Sequence, residues 1–365
     1  MKFSSICFLL AMFLAASLTT LGQTSNDDNS LQGTLQRLST DAAKSYVSPI
    51  VSGFGADLNG GWFHKAPRST KLGFDLEVGV VAMGTFFKDE NKTFSSSGSA
   101  MLDPMIVDQM TQGLSTFGGF RDSVRNQLYG SGISVNIYGP TVVGSKNDSV
   151  KLEYTGTPVT IHNFDGAGHD TTLTLAHALQ ATPVTGLLEE LSVLPLAAPQ
   201  VTLGTIFGTH VSIRYLPEVQ LDSKIGSLKY FGFGIQHNPA VWFDQDFPVD
   251  LSIGYFTQSL DVGSLLSTST KAFGLQASRR LGWSYLNLTP YIGYQSESST
   301  MTFTYDYTVT TAAGPSTQHV SFGMDGANSS RFTAGLAIRL LIFNLNADYN
   351  FGTYNSATAG LMISL

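Results

Sequence analysis

Charge is scarce in this chain and cysteine almost absent. Asp, Glu, Lys and Arg make up 13% of the 365 residues, about half of the roughly 25% usual in a soluble domain. The water-facing surface of an ordinary cytosolic enzyme is not built from such a composition. The few charges lean negative, 27 acidic against 20 basic, which argues against a nucleic-acid partner. Long apolar runs are missing too. After the first 22 residues none approaches the roughly 20 apolar residues that a membrane helix needs. The mean hydropathy of +0.08 is nonetheless too high for a disordered chain. What is abundant is glycine, with 37 residues, and aromatic side chains, at 11%.

Residues 1–22 read as a secretory signal. Lys2 supplies the positive start, Ile6 to Leu18 is almost wholly apolar, and Thr19-Thr20-Leu21-Gly22 forms a small, polar exit before Gln23. Removing them leaves 19 basic against 27 acidic residues, a formal charge of −8 over 343 residues. The only cysteine, Cys7, sits inside the apolar run and not at its end, where a lipid would be attached. The remaining chain has no thiol, which excludes disulfides, thiolate metal sites and cysteine nucleophiles together.

Residues 29–55 carry a helical pattern, with Leu31, Leu35, Leu38, Ala42, Tyr46, Ile50 and Phe54 three or four apart. Asn29 or Ser30 is placed to cap its start, and Pro49 is expected to bend or end it. Residues 23–70 are therefore expected to form a helical plug or periplasmic segment, the alternative being a frayed leader that packs on the rest. From Lys71 the period becomes two. Leu72, Phe74, Leu76, Val78 and Val80 alternate with Gly73, Asp75, Glu77 and Gly79. The alternation returns at 201–215, 249–258, 301–309, 332–340, 344–351 and 361–365. Further strands read at about 225–237, 268–280 and 284–297, and weakly at 131–139 and 150–162. The total is about 12, within a range of 10 to 14. Residues 86–198 fit less well and form an irregular insertion, with a helix at Asp103–Leu114 and an apolar helix near Gly186–Val193 closed by Pro195 and Pro199.

Many of these strands match the 9 to 11 residues that cross a bilayer when tilted. Several place an aromatic near an end, as a membrane interface requires: Trp242, Phe243, Tyr255, Trp283, Tyr291, Tyr294, Tyr349 and Phe351. An apolar-out strand in lipid has no water to satisfy an open edge, so such strands must close into a barrel with a wet interior. A soluble β-sandwich shows the same alternation with its apolar face inward. The polar face here is Gly, Ser, Thr, Asn and Gln with little Lys or Glu, which favours an all-β, antiparallel transmembrane barrel over residues 71–365.

Pro199-Gln200-Val201-Thr202-Leu203-Gly204 and its continuation through Gly208-Thr209 to Ile213-Arg214-Tyr215-Leu216-Pro217 resemble a known family. So do Phe231-Gly232-Phe233-Gly234-Ile235-Gln236-His237, Pro248-Val249-Asp250, Tyr255-Phe256, Gly53-Phe54-Gly55 and Gly61-Trp62. The family is an uncharacterised group of outer-membrane β-barrel proteins from Bacteroidota. The resemblance covers most of the chain after the signal and carries no catalytic or ligand residues. It implies the outer membrane of a Gram-negative bacterium, with outer-membrane lipid and the barrel assembly machinery as partners. A more distant architectural likeness is to the long-chain fatty acid outer-membrane transporters, which carry an N-terminal plug.

No G-x-S-x-G elbow, H-E-x-x-H pair or phosphate loop occurs, and no enzyme activity or cofactor is expected. His162, Asp165, His169 and Asp170 offer N and O ligands in one short run. Their spacing matches no metal pattern, and a solvated Gly-rich turn is the simpler reading. Six residues on polar strand faces are selectivity candidates for a lumen: Asp75, Glu77, His210, Arg214, Asp250 and Asp348. For His210 and Arg214 a hydrogen-bond network with Asp250 or Asp306 is the competing reading. The expected function is a passive channel or uptake path for small solutes, hydrophobic ones included. The alternatives are a structural or surface-binding barrel with an occluded lumen, and a secreted sandwich that binds glycan or protein.

Overall fold

The computed structural model describes residues 40–365 except 101–106, 109–110, 115–119, 131–132, 155–157, 163–167, 175–177, 189–190, 223–225, 244–246 and 312–313. The signal segment with Cys7, the caps proposed at Asn29 and Ser30, Asp165, and half of the helix expected at 103–114 lie outside the described residues.

Helix α1 (Thr40–Leu58) comes first, then β1 (Leu72–Phe86), β2 (Thr93–Ala100), α2 (Phe120–Gly130) and β3 (Ile133–Pro140). Four short strands follow: β4 (Ser149–Tyr154), β5 (Pro158–Ile161), β6 (Thr171–Thr174) and β7 (Ala178–Thr185). The long strands are β8 (Val193–Ile206), β9 (Thr209–Asp222), β10 (Gly226–His237), β11 (Asp250–Val262) and β12 (Leu266–Ser278). After β13 (Leu281–Gly282) come β14 (Leu286–Thr311), β15 (Gly314–Asp325), β16 (Ser330–Leu340), β17 (Phe343–Phe351) and β18 (Ser356–Ser364).

Among the described residues two compact units emerge. One comprises Ser48–Lys88 and Leu191–Leu365, the other the rest, and α1 contributes to both. In the first unit the ladders run β1-β8-β9-β10-β11-β12-β14-β16-β17-β18 and back to β1, so ten antiparallel strands close a barrel. β13 and β15 pair only with β14 and lie outside the circle. In the second unit β2, β3, β4 and β7 form a separate sheet, and β5 pairs β6. The weak strands expected at 131–139 and 150–162 therefore belong to the insertion and not to the barrel. At 4 to 8 residues these strands are too short to span a bilayer.

Which face points outward decides between barrel and sandwich. Leu203, Ile213, Tyr215, Phe273, Leu275, Ile292, Leu345 and Leu361 are exposed on the outside, while Thr202, Ser212, Gln236, Gln276, Gln295, Asn346 and Asn350 are buried inside. A sandwich buries the first set and wets the second, so that reading fails. Trp242, Phe243, Trp283 and Tyr285 are exposed at the end where the β8–β9 and β16–β17 connections are two-residue turns. Phe207 stacks on Trp242 there, 5.6 Å between ring centroids. We call this the turn end, and the opposite one the loop end.

Four local expectations change. Pro49 lies inside α1, which continues to Leu58; the turn loses one hydrogen bond and the helix persists. The described residues of 186–193 form no helix, and Pro195 and Pro199 stand within β8. The segments read at 284–297 and 301–309 are one strand, β14, on which Met301 and Phe303 point inward and are fully buried. Tyr291, expected in the outer aromatic girdle, also faces inward, and its hydroxyl donates to Asp348 Oδ2 at 2.9 Å.

Candidate functional site

Eight strands enclose an interior that side chains alone can fill; ten leave room for more. Here the chain's own residues from Ser52 to Pro67 lie among the inward-facing side chains. Near the loop end Thr85 Oγ1 donates to Asp57 Oδ1 at 2.7 Å and to Gly53 O at 3.1 Å. Arg331 Nη2 donates to Ala56 O at 2.7 Å, and Gln258 Nε2 donates to Leu58 O. Midway, Gln295 Nε2 reaches Asn59 O at 3.0 Å and Arg214 Nη1 reaches Gly60 O at 2.9 Å. At the turn end Ala66 N donates to Ser278 Oγ at 3.0 Å and Asn238 Nδ2 to Pro67 O at 2.7 Å. The segment thus runs the length of the barrel from loop end to turn end before β1 turns back.

Local sequence explains this path. Gly61 adopts φ +68°, a conformation that favours glycine, just past the end of α1. Trp62 and Phe63 then join one buried cluster with Phe256 and Ala272. Trp62 stacks on Phe256 with centroids 5.0 Å apart, and Phe63 meets the same ring edge-on at 5.3 Å. The wall makes room by omitting side chains. A Cβ on Gly234 would lie 2.9 Å from Trp62 Cζ3, and one on Gly274 would lie 2.7 Å from Phe63 Cζ. Gly232 and Gly234 both face Trp62 in this way. Gly234→Val is therefore expected to push the Trp62 indole out of its slot. Tryptophan emission should shift to longer wavelength, since Trp242 and Trp283 are already exposed at 63% and 68%. An unchanged spectrum would mean that Trp62 does not fill this slot.

Five of the six lumen candidates are buried in the interior: Asp75, Glu77, His210, Arg214 and Asp348. Asp250 is half-buried at the turn end, where a cavity is lined by Lys65, Arg68, Asp75, Asp250, Arg280 and Arg339. The inner segment takes up most of these charges. Lys65 Nζ bridges Asp75 Oδ2 at 3.0 Å and Glu77 Oε1 at 2.8 Å. His64 Nε2 meets Glu77 Oε2 at 2.7 Å, and Ser364 Oγ donates to Glu77 Oε1 at 2.6 Å. Arg214 lies over the Trp62 ring, 3.9 Å from its centroid, and its Nε donates to Gln200 at 2.8 Å. His210 faces Asp75 at 3.6 Å and Thr205 at 3.1 Å. His210 and Arg214 do stand in a hydrogen-bond network, made with these partners; the side chain of Asp306 lies outside the described residues.

Sequence reading missed Lys65, His64, Glu297 and Arg331. Arg331 Nε donates to Glu297 Oε2 at 2.8 Å and Nη2 to Oε1 at 3.1 Å, both side chains being almost fully buried. Their inward parity on β14 and β16 was a usable signal, since charge is rare elsewhere on these strands. His162 and Asp170 meet at 2.8 Å on the exposed surface of the second unit; among the described residues no group of three possible metal ligands occurs.

A profile described as a family of unknown function, DUF6588, matches residues 1–365. Several outer-membrane structures are loosely similar. A loop L8 deletion mutant of OmpT, an outer membrane protein of Vibrio cholerae, aligns at 11% identity over 80% of this chain and 98% of its own, with a TM-score of 0.24. The N-terminal β-barrel domain of Pseudomonas aeruginosa OprF aligns at 16% identity over 43% and 94%, with a TM-score of 0.20. A BenF-like porin from Pseudomonas fluorescens Pf-5 aligns at 9% identity over 84% and 100%, with a TM-score of 0.18. At these scores the likenesses carry no argument, and the barrel rests on the strand pairing above. No protein of curated function matches this chain.

Proposed function

The chain belongs to DUF6588, a family of unknown function, and from its own geometry we propose a barrel of the Gram-negative outer membrane that is closed at rest by its N-terminal segment. One observation carries the reading. The inward-facing charges of the barrel wall, Glu77, Arg214 and Arg331 above all, bind residues 56–65 of the same chain instead of lining an open pore. Such a barrel is a gated uptake path for small solutes and not a permanently open porin. The apolar exterior supports the membrane setting, because the outward side chains suit hydrocarbon.

The contacts of residues 52–67 also suit motion. Asp57 Oδ2, Asn59 Oδ1, His64 Nδ1, Arg214 Nη2 and Arg331 Nη1 are buried without a protein hydrogen-bond partner. Polar, incompletely paired surfaces of this kind are ones that water solvates when they separate. The competing reading, a permanently occluded barrel that acts through its surface, is favoured by the complete burial of Trp62 and Arg214.

Extraction and gel migration test the premise. The protein should leave the envelope fraction only with detergent, and it should migrate faster on an SDS gel unboiled than boiled, since a closed barrel resists SDS. Release by buffer or salt alone, with no heat shift, would overturn the membrane barrel.

A further inference from the structure

Arginine is unevenly placed on the barrel. Arg214 and Arg331 hold Gly60 and Ala56 from within. The other arginines of residues 48–88 and 191–365 are Arg68, Arg279, Arg280 and Arg339, and all stand at the turn end. Arg68, Arg280 and Arg339 line one cavity there together with Lys65. Arg279 does not; it borders a groove on the outer face, beside Val249, Pro290 and Ile292.

Neighbouring contacts set the three guanidiniums on this cavity. Ala66 N donates to Ser278 Oγ and Asn238 Nδ2 to Pro67 O, so the inner segment reaches the turn end beside β12 with Arg68 next in the chain. Arg280 follows Ser278 by two residues. Arg339 Nε donates to Leu341 O at 3.0 Å, which leaves its terminal nitrogens to the cavity. The charges do not balance. Lys65 bridges Asp75 and Glu77, so Asp250 is the one remaining carboxylate of the lining against three guanidiniums. Among the described residues Arg68 and Arg280 make no side-chain hydrogen bond and no ion pair.

Like charges that face one another across a partly enclosed space repel. Here Arg68 belongs to the inner segment and Arg280 and Arg339 to the wall, so the repulsion acts to part the two. An anion lodged between them reverses the sign. Three guanidinium forks suit a group with several acceptor oxygens and close to two negative charges, which describes phosphate better than a carboxylate. The cavity measures about 50 Å³, room for a few waters or one tetrahedral oxyanion. Ser278 Oγ, buried in its lining, accepts from Ala66 N and keeps its proton for a further acceptor. We propose that the turn-end cavity binds a phosphate group, which joins Arg68 of the inner segment to Arg280 and Arg339 of the wall and so holds the barrel closed. This rests on the gated reading above and names the ligand that regulates it. In outer-membrane barrels the short turns face the periplasm, so the group arrives either on a soluble phosphate or on the headgroup of an inner-leaflet phospholipid.

The probe is inorganic phosphate, titrated by calorimetry into the detergent-solubilised full chain at fixed ionic strength, so that screening stays constant. Saturable binding at one site is expected. Arg68→Gln, Arg280→Gln and Arg339→Gln should each weaken it about tenfold, since each removes charged donors. Arg279→Gln, on the outer face, should leave it unchanged, and a fast-migrating unboiled gel band checks that every variant is folded. Absence of saturable binding, or binding that survives the three substitutions together, would overturn the site. Repeating the titration in phosphatidylcholine vesicles with and without phosphatidic acid separates the sources. Phosphate binding lost only when phosphatidic acid is present assigns the site to a lipid headgroup, and binding retained in both assigns it to a soluble phosphate. Across a planar bilayer, phosphate on the turn-end side should shorten the openings of the unmodified chain, and Arg68→Gln should lose that response. Phosphate that binds but leaves the openings unchanged would overturn the bridge between segment and wall. A chain that binds phosphate and never opens would overturn the gated reading while the site stands.

Discussion

Deleting residues 23–67, while keeping residues 1–22 for export, is expected to convert a barrel that opens only briefly into one that conducts ions in sustained discrete steps across a planar bilayer. In the intact chain Arg214, Arg331, Gln258, Gln295 and Glu77 hold the backbone or side chains of residues 56–65 within the barrel. Their removal uncovers a turn-end wall that is largely polar, and water replaces the lost hydrogen bonds there. The apolar loop-end wall and the ring of Phe256 lose their packing, so the variant should also lose heat resistance. A second variant separates a gate from a fixed filling. Ala66 N and Ser278 Oγ are 3.0 Å apart, so Ala66→Cys with Ser278→Cys, after Cys7→Ser, tethers the segment to β12. Openings that occur in the untethered chain should vanish on oxidation and return on reduction. A chain silent in both states, beside a conducting deletion, would favour the permanently occluded barrel. Steady conductance from the intact chain would show that residues 52–67 do not fill the interior in a membrane.

The largest effect on stability is expected from Glu297→Ala. Glu297 accepts two hydrogen bonds from Arg331, at 2.8 and 3.1 Å, and one from Gln295 at 2.9 Å. Removing the carboxylate leaves a buried guanidinium with Ala56 O as its remaining protein acceptor, and breaking a buried pair from one side costs about 3–5 kcal/mol. The urea midpoint for loss of the unboiled gel band should fall accordingly. Glu297→Gln keeps one acceptor and should cost less. The double variant Glu297→Ala with Arg331→Met should recover much of the loss, because no charge is then stranded. A double variant as weak as the single one would mean that Arg331 acts mainly by holding Ala56, and not through the pair.

Much of the barrel was legible because alternation is a local property. Each of Asp75, Glu77, His210, Arg214 and Asp348 could be set on an inward face from the parity of its own strand, and each is buried there. The exceptions show where parity is silent. Met301 and Phe303 are apolar yet inward, and Tyr291 is aromatic yet inward, because the inside of this barrel is not uniformly polar. Pro195 and Pro199 looked like helix stops because a proline in a paired strand is costly. They are tolerated because β9 has already left that edge.

The amino-acid sequence by itself determined that strands of period two, poor in charge and edged by aromatics, dominate the second half of the chain. It also determined that inward positions carry Asn, Gln, Ser, Thr and the rare charges. Only the tertiary structure decided that ten strands close, that residues 52–67 thread the interior, and that Lys65, His64 and Arg331 take up the lumen charges. It alone decided that the ladder between β8 and β9 stops at Gln200–Arg214. The division has a physical cause. Facing is set within a few residues by the pleat of the backbone, whereas partners across a lumen depend on strand number, register and the path of a distant segment, none of which leaves a periodic trace.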